Sequence, residues 1–386
     1  MTKVALLRCD AYTLPVLKER IGQAMTLIGF EPSIFNGAKV ALKPNLLSAV
    51  SGNSAVVTHP LFFRAASEIV LENGGRPILI ESPAVASLDN ALDKTGYRTI
   101  VQDLAIEVAS SGRVKSLSFP EGRVFRHFEV AGELLDADFV LNMPKFKTHN
   151  LTYVTGAVKN LFGFVPGMRK SQMHMRFPDN DEFSEQLLDL YGAVVHVMGR
   201  APVGILHVMD AVVALEGQGP GSAGTPRKMG AMLMGKDGVA LDYVATRVAG
   251  LDVRRVETIT RGFDRGFSVS GPGEIEVVGE SIDHLKIAGF VPADSTGGAH
   301  LLRRLAASKA VRDLFIARPE PEEDRCILCY ECMNICPAGA IGHAGPGTKV
   351  PVFDYRKCIR CFCCSEICPE AAICLRRGKL QWMLRL

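Results

Sequence analysis

The sequence predicts an α/β protein: a mostly parallel sheet flanked by helices, followed by a small cysteine-rich α+β domain at the C-terminal end. Three observations carry that expectation. Through residues 1–300, short β-branched runs alternate with helix-period segments. Of eleven cysteines, ten fall between Cys326 and Cys374. The 386 residues, 47% of them hydrophobic, exceed what one domain needs for its core.

Taken in order, the strands are expected at VALL (4–7), KVAL (39–42), PILI (77–80), FVLN (139–142), VGILHV (203–208) and MGAMLM (229–234). Helices are expected over 14–27, 61–72, 182–198 and 239–249. Strands separated by helices favour parallel pairing with helices on both faces, and ligands of such sheets sit off the carboxyl ends of the strands. The run LLRRLAASKAVRDLFIAR (301–318) has a basic amphipathic helical pattern. Pro319, Pro321 and the acidic Glu320, Glu322, Glu323 and Asp324 follow it as a linker. The expected organisation is therefore an α/β domain over 1–300, a basic helix and linker over 301–324, a cysteine-rich domain over 325–375 and a basic tail over 376–386. That tail, with Arg376, Arg377, Lys379, Arg385 and Trp382, is expected to dock on the large domain.

Composition excludes several classes. A net charge of +3 with 22% charged residues gives no bulk case for nucleic-acid binding. Lys3, Arg8 and Asp10 interrupt the first ten residues, unlike a secretory leader. No uncharged run approaches the ~18 apolar residues a membrane span needs. The expectation is a soluble cytoplasmic protein, in which clustered cysteines bind metal rather than form disulfides.

The cysteines repeat. CILCYECMNICPAGAI begins at Cys326 and CIRCFCCSEICPEAAI at Cys358, so every motif cysteine and its proline recur 32 residues later. Each half reads C-x2-C-x2-C-x3-C-P, the run that holds [4Fe-4S] clusters in two-cluster ferredoxins, where the fourth cysteine crosses to the other cluster. One cluster would use Cys326, Cys329, Cys332 and Cys368; the other would use Cys358, Cys361, Cys364 and Cys336. Structural zinc is the competing assignment, but a ribbon uses two C-x2-C pairs rather than this doubled pattern. Cys363 lies between ligands and is left out because the repeat aligns Cys364 with Cys332. Cys374 and Cys9 read as small buried hydrophobes.

The large domain contains KPNLLS (43–48), VTHP (57–60), ESP (81–83), KTGY (94–97), NMPKFKTHNLTYVTGAVKNLFG (142–163), MDAVVALEGQGPGSAGTPR (209–227) and KDGVALDYVA (236–245). With these motifs it resembles the domain-of-unknown-function family numbered 362, whose members often carry a C-terminal two-cluster ferredoxin module. The resemblance covers most of residues 1–270. It implies a shared fold and a bacterial or archaeal cytoplasmic setting, and supplies no reaction. Glu81 stands where similar motifs lead one to expect an aspartate.

Several polar residues fall at strand ends. Lys43, Pro44 and Asn45 follow the second strand, and Lys145, Lys147 and His149 follow the 139–142 strand. Such lysines suit a carboxylate or phosphate, and His149 a proton. His59, before Pro60, reads as a helix cap or a site residue. Lys159, beside Asn160 in a segment poor in charge, suits anion binding or base work at a lowered pKa. Asp210 ends a strand and Glu216 precedes GQGPGSAG, which makes them candidate paired carboxylates. Residues 219–224 match G-x-G-x-x-G formally, but they neither follow a strand directly nor open a helix. Asp237 and Asp242 read as cap and packing residues of the 239–249 helix.

Two functions follow. In the first, an iron–sulfur oxidoreductase takes electrons from a redox protein or other donor. It delivers them to an anionic small-molecule substrate on the α/β domain through Lys43, Lys145, His149, Lys159, Asp210 and Glu216. In the second, the chain is a non-catalytic electron carrier or assembly factor whose large domain docks a redox partner. Inward polar groups at strand ends favour the first. A flavin or other second cofactor stays open, because no flavin or nicotinamide fingerprint is visible.

Overall fold

The computed structural model describes residues 1–83, 87–110, 112–167, 169–170, 173, 180–199, 204–267, 269–293 and 317–376. The strands of the large domain are β1 (Thr2–Arg8), β2 (Lys39–Pro44), β3 (Arg76–Leu79), β4 (Glu107–Val108), β5 (Val114–Ser118), β6 (His127–Ala131), β7 (Phe139–Met143), β8 (Lys145–His149), β9 (Tyr153–Thr155), β10 (Ile205–Gly217), β11 (Gly224–Gly235) and β12 (Ile275–Gly279). Its helices are α1 (Leu14–Leu27), α2 (Pro60–Glu72), α3 (Leu88–Thr95), α4 (Tyr97–Asp103), α5 (Ala157–Asn160), α6 (Asn180–Met198), α7 (Gly238–Val248), α8 (Glu257–Arg265) and α9 (Ile282–Leu285).

The main sheet runs β12-β1-β11-β10-β7-β2-β3-β4. Strands β4, β3, β2, β7 and β10 are mutually parallel, as are β1 and β12. The β10–β11 hairpin and the β11–β1 pairing are antiparallel. The expected mostly parallel sheet is therefore mixed at one side. The β-branched and aliphatic runs are buried on both faces, as strands covered by helices must be. One face packs Leu17, Phe62 and Phe63 from α1 and α2. The other packs Phe183, Leu187 and Val244 from α6 and α7.

The structure corrects several local expectations. Lys145, Lys147 and His149 do not trail from a strand as a loop. They form β8, which restarts after Pro144 and pairs with β10 and β9. The strand expected to end at residue 208 continues to Gly217, so Asp210 lies within it. GQGPGSAG is the tip of the β10–β11 hairpin, turned by Gly217 at φ 74°. Residues 301–316 of the expected basic helix, and residues 377–386 of the tail with Trp382, lie outside the described residues.

The cysteine-rich module consists of β13 (Arg318–Pro321), α10 (Glu331–Ile335), β14 (Ile341–Gly342), β15 (Val352–Phe353), α11 (Cys363–Ile367) and β16 (Ile373–Arg376). Pro319 and Pro321 do not form a free linker: β13 pairs antiparallel with β16 and closes the module. Cys9 is buried at the end of β1, whereas Cys374 is only half-buried, its thiol directed at the Glu320 carbonyl at 3.4 Å.

Candidate functional site: two thiol-ringed voids and a lysine cleft

The two cysteine repeats fold alike. Leu328 and Tyr330 in the first loop, and Arg360 and Phe362 in the second, take left-handed backbone conformations with φ between 55° and 62°. Such angles are costly for residues with a Cβ and persist only where the surroundings impose them. Here they wind each C-x2-C-x2-C loop around a void. One void, of about 370 Å³, is lined by Cys326, Cys329, Cys332 and Cys368. The other, of about 330 Å³, is lined by Cys336, Cys358, Cys361 and Cys364, with Cys363 beside them. The fourth cysteine of each repeat thus lies against the other repeat's void.

The surroundings fit thiolate-bound clusters. Backbone N–H groups aim at both crossing cysteines: Ala340 donates to Cys336 Sγ at 3.3 Å and Ala372 to Cys368 Sγ at 3.2 Å. N–H···S bonds of this kind tune a cluster's potential. Burial, reinforced by the neighbouring thiols, pushes the Cys332 thiol up to about 12, so its thiolate needs a metal to be stable. Among the described residues no group of three or more His, Cys, Asp or Glu is set to hold one metal ion.

The second feature is a cleft of about 480 Å³ at the carboxyl ends of β2 and β3, lined among others by Lys43, Asn45, Lys147, Lys159, Asn160 and Lys170. Lys43 is fully buried at the end of β2, where its ammonium pairs with Glu81 and donates to the Pro44 carbonyl at 2.6 Å. Glu81 is the acid expected to be an aspartate, and its extra methylene reaches this lysine. Lys147 donates to Asn45 Oδ1 at 2.9 Å and to the Val56 carbonyl at 2.7 Å. Lys170 donates to the Ser82 carbonyl. An amide chain fixes the cleft floor: Asn45 donates to Asn160, Asn160 to Asn142, and Asn142 to His207 Nδ1. Burial lowers all four lysines, Lys147 most strongly and Lys170 to about 8.

The predicted site residues divide. Lys43 and Lys159 meet at the cleft. Lys145 and Asp210 instead form a closed, buried pair at 2.9 Å, with the Tyr12 hydroxyl 2.7 Å from Asp210 and 2.8 Å from Lys145. The His59 N–H adds a further bond to Asp210, and the His59 ring stacks on Tyr12. His59 also caps α2 by accepting from the Leu61 N–H. Asp210 and Glu216 are not paired carboxylates. Five residues separate them along an extended strand, and Glu216 accepts from the Val291 N–H at 3.0 Å. Asp237 caps α7, whereas Asp242 reaches out of α7 to accept from the Ala157 and Val158 N–H groups that open α5. Ser82 and Lys170 were missed, as was Tyr12.

The module rests on the cleft. Glu366, on α11, lies 3.3 Å from His149 Nε2 and shares electrostatic contact with Lys147 and Lys159. His149 Nδ1 accepts from the Leu151 and Thr152 N–H groups, which leaves the proton on Nε2, facing Glu366. Cys363 is close enough to Lys159 to act on its charge. The void ringed by Cys336, Cys358, Cys361 and Cys364 is therefore the one nearer the cleft.

The chain matches the family described as a domain of unknown function, DUF362, over residues 40–247, and a 4Fe-4S dicluster domain over residues 318–369. It is 33% identical over 260 residues to a thylakoid-associated protein of Synechocystis sp., across 66% of this chain and 77% of that one. A structure search pairs it with the lactate racemase apoprotein of Thermoanaerobacterium thermosaccharolyticum at a TM-score of 0.35 and 14% identity, covering 55% of this chain and about half, 51%, of that one. Among the described residues no helix is long and apolar enough to cross a membrane.

Proposed function

From the premise that the chain belongs to the DUF362 family and carries a 4Fe-4S dicluster domain, we propose that it is an iron–sulfur oxidoreductase whose substrate is an anionic small molecule held in the lysine cleft. The observation that carries this reading is the seating of α11 on the cleft through Glu366, His149, Lys147 and Lys159. Two [4Fe-4S] clusters, held by Cys326, Cys329, Cys332 and Cys368 and by Cys358, Cys361, Cys364 and Cys336, would supply single electrons received from a redox protein or other donor. Lys159 and Lys170 bind the anion, Lys147 is aimed by Asn45, and the Lys43–Glu81 pair shapes the wall. His149 holds a proton on Nε2 at the module contact. A fused donor also raises the effective concentration of reductant at the substrate. Ten of the eleven cysteines are clustered in the metal-binding module, a usage that suits a reducing compartment, and we propose the cytoplasm.

The test is anaerobic purification with iron, sulfide and zinc counts, then reduction of the chain and stopped-flow mixing with small anions. Reoxidation on mixing supports the reading. Inertness toward every anion, with reoxidation only by other redox proteins, favours the carrier function instead. Cys332→Ala should lose about half the iron and Cys363→Ala almost none; equal loss from both would overturn the ligand assignment.

A further inference from the structure

We propose that the cleft takes a dianion, meaning a phosphate group or two carboxylates on one small molecule. This deepens the reading of the cleft as the substrate site and rests on it. The argument is a census of donors and charges.

The donors outnumber the acceptors. An ammonium group carries three N–H donors. Among the described residues Lys159 has no hydrogen-bond partner, so all three are unspent. Lys170 spends one donor, on Ser82, while Lys147 spends two, on Asn45 and Val56. Most acceptors around them are already occupied, Glu366 Oε1 and Thr155 Oγ1 being the ones without a hydrogen bond among the described residues. Asn45 Oδ1 takes Lys147, Asn160 Oδ1 takes Asn45, and the Glu81 oxygens take Lys43 and the Ser82 N–H. A ligand that fits must bring acceptors in number and need bring no donors.

The charges point the same way. Lys43 is matched by Glu81. Lys147 and Lys159 face Glu366, and Lys170 faces Glu81, so four ammonium groups share two carboxylates and two positive charges stay uncompensated when all four are protonated. Buried charge of one sign is costly unless paired. The lysines also act on one another: Lys159 pulls Lys147 down, and Lys43 and Lys159 pull Lys170 down. A monoanion would leave this repulsion half relieved. Lys147 comes from β8, Lys159 from α5 and Lys170 from beyond it, so the donors converge from different directions. That arrangement suits a tetrahedral phosphate or a pair of carboxylates, whose oxygens accept on several sides.

The experiment is anaerobic titration calorimetry of the full, cluster-containing chain with inorganic phosphate, succinate and acetate. At least one dianion should bind, with acetate at least tenfold weaker. Lys159→Met and Lys170→Met should each weaken that dianion at least tenfold. Lys159→Arg, which keeps the charge, should stay within a few-fold, and Lys115→Ala, on the β5–β6 hairpin, should change nothing. Phosphate above succinate assigns a phosphate ester, and the reverse assigns a dicarboxylate. Absence of binding by both dianions, acetate binding as tightly as either, or unchanged affinity in both methionine variants would overturn the proposal. Should Lys159→Met fail to incorporate clusters, Lys159→Arg and Lys170→Met decide. The heat is read without electron transfer. A dianion that binds yet never reoxidises the reduced chain counts against the oxidoreductase reading and leaves the dianion site standing.

Discussion

Lys145 is enclosed, and among the described residues its ammonium meets only Asp210 and the Tyr12 hydroxyl. Removing one member of such a pair strands the other charge in the interior, at a cost of about 3–5 kcal/mol. Lys145→Met should therefore lower the urea midpoint sharply, and adding Asp210→Asn should restore part of the loss. Equal and additive losses would show that the two side chains are independent. Lys170 leads to a pH prediction. Its ammonium titrates at about 8 in the free cleft, and a bound anion would raise that value. Below that pH the charge is already present; above it, binding must draw in a proton. Affinity for sulfate or succinate, which keep both charges throughout, should fall more steeply above pH 8 than below it, by up to about a further tenfold per pH unit. Lys170→Met should bind more weakly and lose this limb in calorimetry. At this scale the sequence was only partly legible. Lys43 and Lys159 stood out because each is a charge in an apolar setting. Lys170 has no such contrast in GMRKSQ, and its role comes from the distant Ser82.

Helix α7 begins at Gly238, and the Asp237 carboxylate accepts from the Val239 and Ala240 N–H groups at 2.7 and 2.9 Å. Asp237→Ala leaves those donors without the cap and should cost about 1 kcal/mol by urea denaturation, with cluster content unchanged. A null effect would mean that water replaces the carboxylate. Most elements of this kind were readable, since their apolar period and boundary residues agree. Strand β8 was not. KFKTH is buried along its whole length, yet three of its five residues are ionisable. A strand normally announces itself by alternation or by an apolar run, and this one has neither. Its lysines are stabilised by Asp210, Asn45 and the Val56 carbonyl, which are contributed by other segments. Asp242 is similar: placed within α7 by its pattern, it serves as the cap of α5 across the core.

The repeat made the grouping of the module's thiols legible: the cysteines expected to share a cluster line one void each. The module's seat on the large domain was not legible, because Glu366 reads as an ordinary helix residue until α11 meets His149 and the cleft lysines. Gly221, at the tip of the β10–β11 hairpin, is the point where this contact can be tested. A Cβ there would collide with the backbone carbonyl of Glu366, and backbone cannot move aside as a flexible side chain can. Gly221→Ala should therefore lift α11 from the cleft without touching a thiol or a lysine. Iron and sulfide should match the parent chain, and dianion binding should persist through Lys159 and Lys170. Reoxidation of the reduced chain by the bound anion should slow by at least tenfold, because electron transfer weakens steeply as donor and acceptor separate. Gly22→Ala is the control, since its added methyl on α1 meets nothing within 4 Å. If Gly221→Ala reoxidised at the parent rate with its clusters intact, electrons would not reach the cleft through this contact. The lysines would then serve a ligand whose chemistry is independent of the module.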